Sequence, residues 1–385
     1  MIPYGRQAIS QADIEAVSSV LRSDWLTQGP AVPRFEAAVA QRVNARHAVA
    51  VNSATSALHI ACLALELGPG DLLWTSPNTF VASANCGRYC GADVDFVDID
   101  PATLNMSVAA LAEKLVAARR RGHLPKVVVP VHFSGEPTEQ EAIWALAQEF
   151  GFRVVEDASH AIGASVQGEP VGSCRWSDIT VFSFHPVKII TTAEGGMALT
   201  NDATLAQRMA MLRSHGITRD TGLMDKEADG AWYYEQQMLG FNYRMTDMQA
   251  ALGLSQLANL ESWVERRHQL ADTYDAAFAD LLLILPHRSA DARSALHLYV
   301  VQVDTERSPV DRKTLFSHLH AADIGVNVHY IPVHTQPDFR RLGFAPGDFP
   351  NSEAYYARCL SLPMYASLSD ADQRYVIDKI RDLLA

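Results

Sequence analysis

Polar and apolar positions recur along this chain in two different rhythms. Near the N-terminus the rhythm is helical. Ser10 and Asp13 have capping-box spacing, and Ile14, Val17, Val20 and Leu21 then share one face. From residue 47 short apolar runs take over. His47 to Val51, Leu72 to Thr75, Asp93 to Ile99, Lys126 to Phe133, Arg153 to Glu156, Thr180 to Phe184 and Met197 to Thr200 read as strands. The run Val127-Val128-Val129-Pro130-Val131 suits a strand buried on both faces. Thr55 to Leu67, closed by Gly68-Pro69-Gly70, and Thr138 to Phe150 read as helices. Strands alternating with helices predict a mostly parallel sheet covered on both sides.

At Thr246 the pattern changes again. Helical periodicity runs with few breakers to about Asp280, far enough to cross between two domains. After Pro286 the pattern predicts a strand over Leu298 to Val303, a helix over Val310 to Ala322, a strand over Val326 to Tyr330 and a last helix from Ser369. The organisation expected is a large α/β domain over residues 1–250 and a smaller α+β domain over 251–385. The polar, acidic stretch Met224 to Gly230 is expected to be a mobile loop.

Composition narrows the possibilities. With 385 residues, 48% of them apolar, the chain can bury a large core without disulfide or metal staples, and disorder is excluded. A net charge of −12 argues against nucleic acid as a partner. The basic triplet Arg119-Arg120-Arg121 ends an Ala-rich helix, where cations suit the dipole. Five cysteines, an odd number, point to a reducing compartment. Cys86 and Cys90 lack a second ligand pair at zinc spacing, so a core role is expected and no metal site. The first residues have no apolar signal segment, and runs such as Leu281 to Leu285 are too short to span a bilayer. A cytoplasmic protein without membrane partners is expected.

Four segments place polar groups where strands end, the position at which open α/β sheets bind ligands. Asn52-Ser53-Ala54-Thr55-Ser56-Ala57 leads a strand into a helix N-terminus, a place for a phosphate or simply an N-cap. In Glu156-Asp157-Ala158-Ser159-His160, Asp157 could hold a protonated ring nitrogen, or could cap the next helix. Ser183-Phe184-His185-Pro186-Val187-Lys188 continues to Gly195-Gly196. Of six lysines, Lys188 alone sits among apolar neighbours, and such a setting depresses the pKa and improves the nucleophile. Asn242-Tyr243-Arg244 precedes the long helical stretch. Phosphate loop, strand-end Asp and apolar Lys, in that order, are what a pyridoxal 5'-phosphate site requires.

Together with Leu26-Thr27-Gln28-Gly29-Pro30, these segments make the chain resemble the DegT/StrS nucleotide-sugar aminotransferases, over most of its length and in the family's order. The resemblance implies fold-type I, with a mainly parallel seven-stranded sheet. It implies pyridoxal 5'-phosphate as cofactor and pyridoxamine 5'-phosphate as its intermediate form. Lys188 would be the Schiff-base lysine and proton shuttle, Asp157 the partner of the ring nitrogen, and His160 a neighbour of the phenolic oxygen. Phe80 would stack on the ring. Ala54, Thr55 and Ser183 would hold the phosphate, joined by Asn242 from a second subunit in a homodimer with shared sites. Tyr4, Trp25, Leu26, Thr27, His185, Asn327, Val328, His329 and Tyr330 would line the sugar-nucleotide site. Arg244 is the candidate for the donor carboxylate.

The stretch around Lys188, with Arg213-Ser214-His215-Gly216-Ile217 and His329-Tyr330-Ile331-Pro332, is similar to the branch that serves pseudaminic acid synthesis. That branch implies L-glutamate as donor, 2-oxoglutarate as product, and a UDP-linked 2-acetamido-2,6-dideoxy-4-keto-hexose as acceptor. The product would be UDP-4-amino-4,6-dideoxy-N-acetyl-β-L-altrosamine. C4 aminotransferases for bacillosamine, perosamine and 4-amino-4-deoxyarabinose have overlapping motifs. A sugar 3-dehydrase would carry His in place of Lys188. A cysteine desulfurase would need a mobile cysteine, and a metallohydrolase would need paired histidines. A non-catalytic cofactor-binding sensor is the remaining alternative.

Overall fold

Seven apolar runs pair into one sheet in the computed structural model, which describes residues 1–384. In chain order the strands are β1 (His47–Val51), β2 (Leu72–Thr75), β3 (Asp93–Phe96), β4 (Val127–Val129), β5 (Arg153–Asp157), β6 (Ile179–Ser183) and β7 (Gly196–Thr200). Their order across the sheet is β1-β7-β6-β5-β4-β2-β3. Neighbours from β6 to β3 are parallel, and β7 runs against both β1 and β6. Every strand except β7 therefore points its carboxyl end the same way. The segments after β1, β2, β4, β5 and β6 meet along one edge of the sheet.

Alternation across the pleat explains why the strand sequences are continuously apolar. Val127 and Val129 of β4, Val155 of β5 and Val181 of β6 pack on one face, under the helices Ala54–Ala64 and Ala82–Tyr89. Val128 and Val154 face the other side, with Leu111, Ile143 and Ala147. Both faces are covered, so no position on these strands can be polar without a partner. The edge strands are β1 and β3, and side chains blunt β1. There the Ala50 N–H donates to Glu36 Oε1 at 2.8 Å, and Arg213 Nη1 donates to the Ala50 carbonyl at 2.7 Å while pairing with Glu36. The free edge at Ala50 is thus already satisfied and offers no ladder to another chain.

A second, three-stranded antiparallel sheet is built from Leu283–Ile284, Tyr299–Val303 and Cys359–Leu362. Its core includes Tyr274 and Phe278 from the helix Leu260–Phe278, and Val376 and Ile380 from the helix Asp370–Leu384.

Several expectations need correction. The helical stretch from Thr246 is two helices, Asp247–Leu257 and Leu260–Phe278. The turn between them is tightened by i→i+3 bonds from Ala258 and Asn259 N–H. The run Lys126 to Phe133 is a strand only to Val129, because Pro130 has no N–H for the ladder. The strand from Asp93 stops at Phe96, and Asp98 Oδ1 takes the Ile99 N–H. Val326 to Tyr330 is not a strand. Only Asn327 bridges to Ser361, and the Asn327 side chain accepts the Val328 N–H at 2.8 Å, turning the backbone aside. Residues 224–230 form no helix or strand. All five cysteines are free and buried. Among the described residues no helix is long and apolar enough to cross a membrane, and no group of three or more His, Cys, Asp or Glu side chains is placed to hold a metal ion.

One glycine sets how closely two elements approach. A Cβ on Gly196, the first residue of β7, would lie 2.5 Å from Ala54 N and 2.5 Å from Ser53 C, both backbone. Gly196→Ala should therefore displace the start of the helix Ala54–Ala64 and cost about 1–3 kcal/mol in urea unfolding. Gly68→Ala, where nothing lies within 4 Å, should change stability by less than about 0.5 kcal/mol. Equal midpoints for the two variants would contradict this account.

Candidate active site

The strand ends enclose a cavity of about 560 Å³. Its first corner is the turn from β1 into the helix Ala54–Ala64. Ser53 is the N-cap and accepts the Ser56 N–H at 3.1 Å. Among the described residues no acceptor is found for the N–H groups of Ala54 and Thr55, and both residues line the cavity. Because Gly196 has no side chain, β7 can lie against this turn. Ser183, at the end of β6, lines the same corner. Two free N–H groups at the positive end of a helix dipole suit an anion.

The second corner is Asp157, the last residue of β5 and buried. Its Oδ1 accepts the Ser159 N–H at 3.1 Å, and its Oδ2 accepts from Ser83 Oγ at 2.6 Å. Phe80 stands beside it on the segment after β2. Phe80 is 58% exposed, although the residues on either side, Thr79 and Val81, pack inward. An aromatic face left open at a cavity mouth is available to stack on a flat ligand.

Lys188 occupies the third corner, on the turn after β6. Ile189 and Ile190 are buried in the core and hold the turn down, while the Lys188 side chain lines the cavity. It makes no ion pair among the described residues. By contrast Lys126 pairs with Asp71 at 2.8 Å, and Lys114 with Asp95 and Lys379 with Asp382, each at 2.7 Å. Burial pulls the Lys188 amine down to about 8, against the opposing pull of the Asp157 charge.

Above these corners lies a cluster of neutral aromatic groups. His160 Nδ1 accepts the Ser134 N–H at 3.2 Å, so in the neutral ring the proton is on Nε2, 3.2 Å from the Tyr330 hydroxyl. Burial, with the nearby Lys188 charge, holds the His160 pKa well below the usual range. His329 is pushed down to about 3 by burial and then by Lys188. Its Nδ1 lies 2.7 Å from Ser361 Oγ. Tyr4 packs beside it, with ring centroids 5.4 Å apart. Asn327, Val328 and His185 complete this wall.

Thirteen of the positions singled out in the sequence thus share one cavity. Trp25, Leu26, Thr27, Asn242 and Arg244 do not line it. Trp25 and Leu26 are 56% and 46% exposed, and Thr27 and Asn242 are exposed as well. They gather at the start of the helix Asp247–Leu257, where the Asp247 N–H donates to the Leu26 carbonyl at 2.9 Å and Thr27 bridges to Thr246. Arg244 lies in a separate hollow of about 230 Å³ with Gln28, Gly29 and Arg213. Three site residues went unnoticed in the sequence. His297 lines the cavity with its ring centroid 4.4 Å from that of His160. A lone His inside the apolar run Ala295 to Val301 was the available signal. Ser83 and Ser134 carried none, because their role lies in contacts 74 and 26 residues away.

The three corners fit pyridoxal 5'-phosphate: a free helix N-terminus for the phosphate, a carboxylate for the ring nitrogen and an unpaired amine for the aldehyde. Fold and site together define a fold-type I, pyridoxal-phosphate-dependent transferase. Comparison with known proteins makes this definite. Residues 7–381 match the DegT/DnrJ/EryC1/StrS aminotransferase family, and the chain belongs to it. It is 42% identical to the spore coat polysaccharide biosynthesis protein SpsC of Bacillus subtilis, over 100% of this chain and 97% of that one. Its fold is similar to Helicobacter pylori PseC, an aminotransferase involved in the biosynthesis of pseudoaminic acid. The TM-score is 0.90, with 31% identity, covering 99% of this chain and 98% of that one. It is also similar to the PMP form of the putative sugar aminotransferase Spr1654 of Streptococcus pneumoniae, at TM-score 0.89 and 29% identity, covering 100% and 99%. The chain is a pyridoxal-phosphate-dependent sugar aminotransferase.

The free amine is the reactive form of a lysine, and Lys188 passes into it around pH 8. Brief treatment of the cofactor-free protein with an amine-selective reagent should label Lys188 with a midpoint near pH 8. Lys379, whose pKa is raised first by its hydrogen bond to Asp382, should follow only at higher pH. Peptide mapping across pH 6–11 measures both, and a reversed order would refute the assignment of a depressed Lys188.

Proposed function

We propose that this protein moves the amino group of L-glutamate to the C4 ketone of a UDP-linked 2-acetamido-2,6-dideoxy-4-keto-hexose. It releases 2-oxoglutarate and the UDP-4-amino-4,6-dideoxy sugar. The observation that carries the reading is the Lys188 amine, without a charged partner, in one cavity with Asp157 and the free N–H groups of Ala54 and Thr55. When bound, the cofactor supplies a protonated ring that accepts an electron pair from the substrate carbon. The chain does the rest. Ala54, Thr55 and Ser183 hold the phosphate, and Asp157 holds the ring N–H. Phe80 covers one ring face, and His160 donates from Nε2 near the phenolic oxygen. Lys188, part amine at neutral pH, takes and returns the proton at the substrate carbon. Tyr4, His185 and the stretch Asn327 to Tyr330 line the way in for the sugar.

The UDP-sugar reading draws on the Ser183-to-Gly196 and His329-to-Pro332 motifs and on the likeness to PseC. The 42% identity to SpsC favours a second reading, in which the same C4 amination serves another nucleotide sugar of a surface polysaccharide. Assays with UDP-, dTDP- and GDP-linked 4-keto-6-deoxy sugars distinguish the two. The first reading requires glutamate-dependent amination to be fastest with UDP, and Lys188→Ala to abolish both turnover and the borohydride-reducible link between the chain and its cofactor. Faster turnover with dTDP or GDP would favour the second.

We further propose a homodimer with shared sites, in which Asn242 reaches the phosphate bound by the partner. Its support is the exposure of Asn242, Trp25, Leu26 and Thr27, away from their own chain's cavity. Neither Lys188→Ala nor Asn242→Asp homodimers should turn over well. In the mixed dimer one site inherits both lesions, and the other is intact and works. Co-refolding the two variants should therefore recover activity. Mixed dimers without recovery would sink the shared site.

A further inference from the structure

We propose that Ser83 is a positioning residue that holds the Asp157 carboxylate aimed at the ring nitrogen of the cofactor. The proposal rests on the reading of Asp157 given above. Ser83 lies in the first turn of the helix Ala82–Tyr89, in the segment that also carries Phe80, and it is 0% exposed. Its Oγ donates to Asp157 Oδ2 at 2.6 Å. Thr79 Oγ1 lies 2.7 Å from Ser83 Oγ. The direction of this chain follows from chemistry. An ionised carboxylate only accepts. Ser83 therefore gives its one proton to Asp157, and its oxygen accepts the proton of Thr79. The Phe80 carbonyl, 3.4 Å from Ser83 Oγ, is the weaker competitor for the Ser83 proton. On the other oxygen, Asp157 Oδ1 accepts the Ser159 N–H at 3.1 Å. Each carboxylate oxygen retains a further lone pair, so a ring N–H can still be accepted.

A carboxylate facing a pyridine nitrogen shares one proton with it, and the balance decides how well the ring draws electrons. Donors to the carboxylate favour its charged form and leave the proton on the ring. Of the two donors here, the Ser159 N–H belongs to the backbone and is common to any sequence. The Ser83 hydroxyl is the one that the side chains supply. The same bond ties the segment bearing Phe80 to the end of β5, so the wall beside the ring and the group at its nitrogen move together.

The test uses holoenzyme carrying cofactor labelled with 15N in the ring. In Ser83→Ala the ring-nitrogen resonance should move toward that of unprotonated pyridine. The glutamate half-reaction should slow about tenfold, the scale of one hydrogen bond to a charged group, with little change in KM. Ser83→Thr keeps the hydroxyl and should restore both readouts. If Ser83→Ala does not fold, Ser83→Cys, close in size and a weak donor, makes the same comparison. Equal losses in Ser83→Ala and Ser83→Thr would overturn the proposal in favour of packing. An unmoved resonance in Ser83→Ala overturns it when Asp157→Asn does move the resonance. When Asp157→Asn leaves it unmoved as well, the reading of Asp157 has failed and takes the proposal with it.

Discussion

The register between β5 and β6 carries the site. These strands are parallel neighbours, with Asp157 opposite Val181. Asp157 ends the first strand, and the turn bearing Lys188 leaves the second. Their separation is therefore set by backbone hydrogen bonds and the fixed spacing of strands, not by flexible side chains. A slip of one residue would turn Asp157 to the opposite face of the sheet. Glu156, next in sequence, shows what guards against this. Its carboxylate points to the other face and accepts from Thr180 Oγ1 at 2.6 Å, Ser177 Oγ at 3.1 Å and the Gln140 amide. Burial alone would raise its pKa, yet the His132 and hydroxyl contacts outweigh that and hold it below the usual range. A buried charge satisfied on one face locks the register that presents Asp157 on the other.

Around this pair the cavity keeps few charges. His160, His329 and His297 are all held neutral, in each case first by burial. A protonated histidine there would repel the Lys188 ammonium and compete for Asp157. Neutral rings leave those two groups, with the exposed Glu194, as the charged side chains of the cavity lining, and burial strengthens charge interactions relative to water. The same burial brings Lys188 to about 8, where a useful fraction is free amine. One physical cause, removal of water, thus explains both the silent histidines and the reactive lysine.

At the phosphate corner the constraint is steric. The approach of β7 to the Ser53–Ala54 backbone is possible only without a Cβ at Gly196. Gly195 is confined as well, since its Cβ would lie 2.1 Å from Thr192 Oγ1. The glycine pair, read in the sequence as allowing close backbone approach, does so here: two pieces of backbone touch.

Much of this was legible in the chain itself. The apolar runs and their helical spacers establish the parallel sheet, because strands covered on both faces must be continuously hydrophobic. The lone apolar lysine, the strand-end Asp157 and the small residues of Asn52 to Ala57 mark the three corners, because each chemistry needs a particular residue type at a particular kind of strand end. What the sequence could not supply were features that depend on contacts distant in the chain. The strand expected over Val326 to Tyr330 gave way to a local Asn327 hydrogen bond, and the single long helix broke at Ala258-Asn259. His297, Ser83 and Ser134 join the site because folding brings residues 297, 83 and 134 to His160 and Asp157. Local pattern records which face of an element is buried. Which hydroxyl or N–H meets which acceptor is decided only when the elements pack, since a hydrogen bond depends on tenths of an ångström that no periodicity encodes.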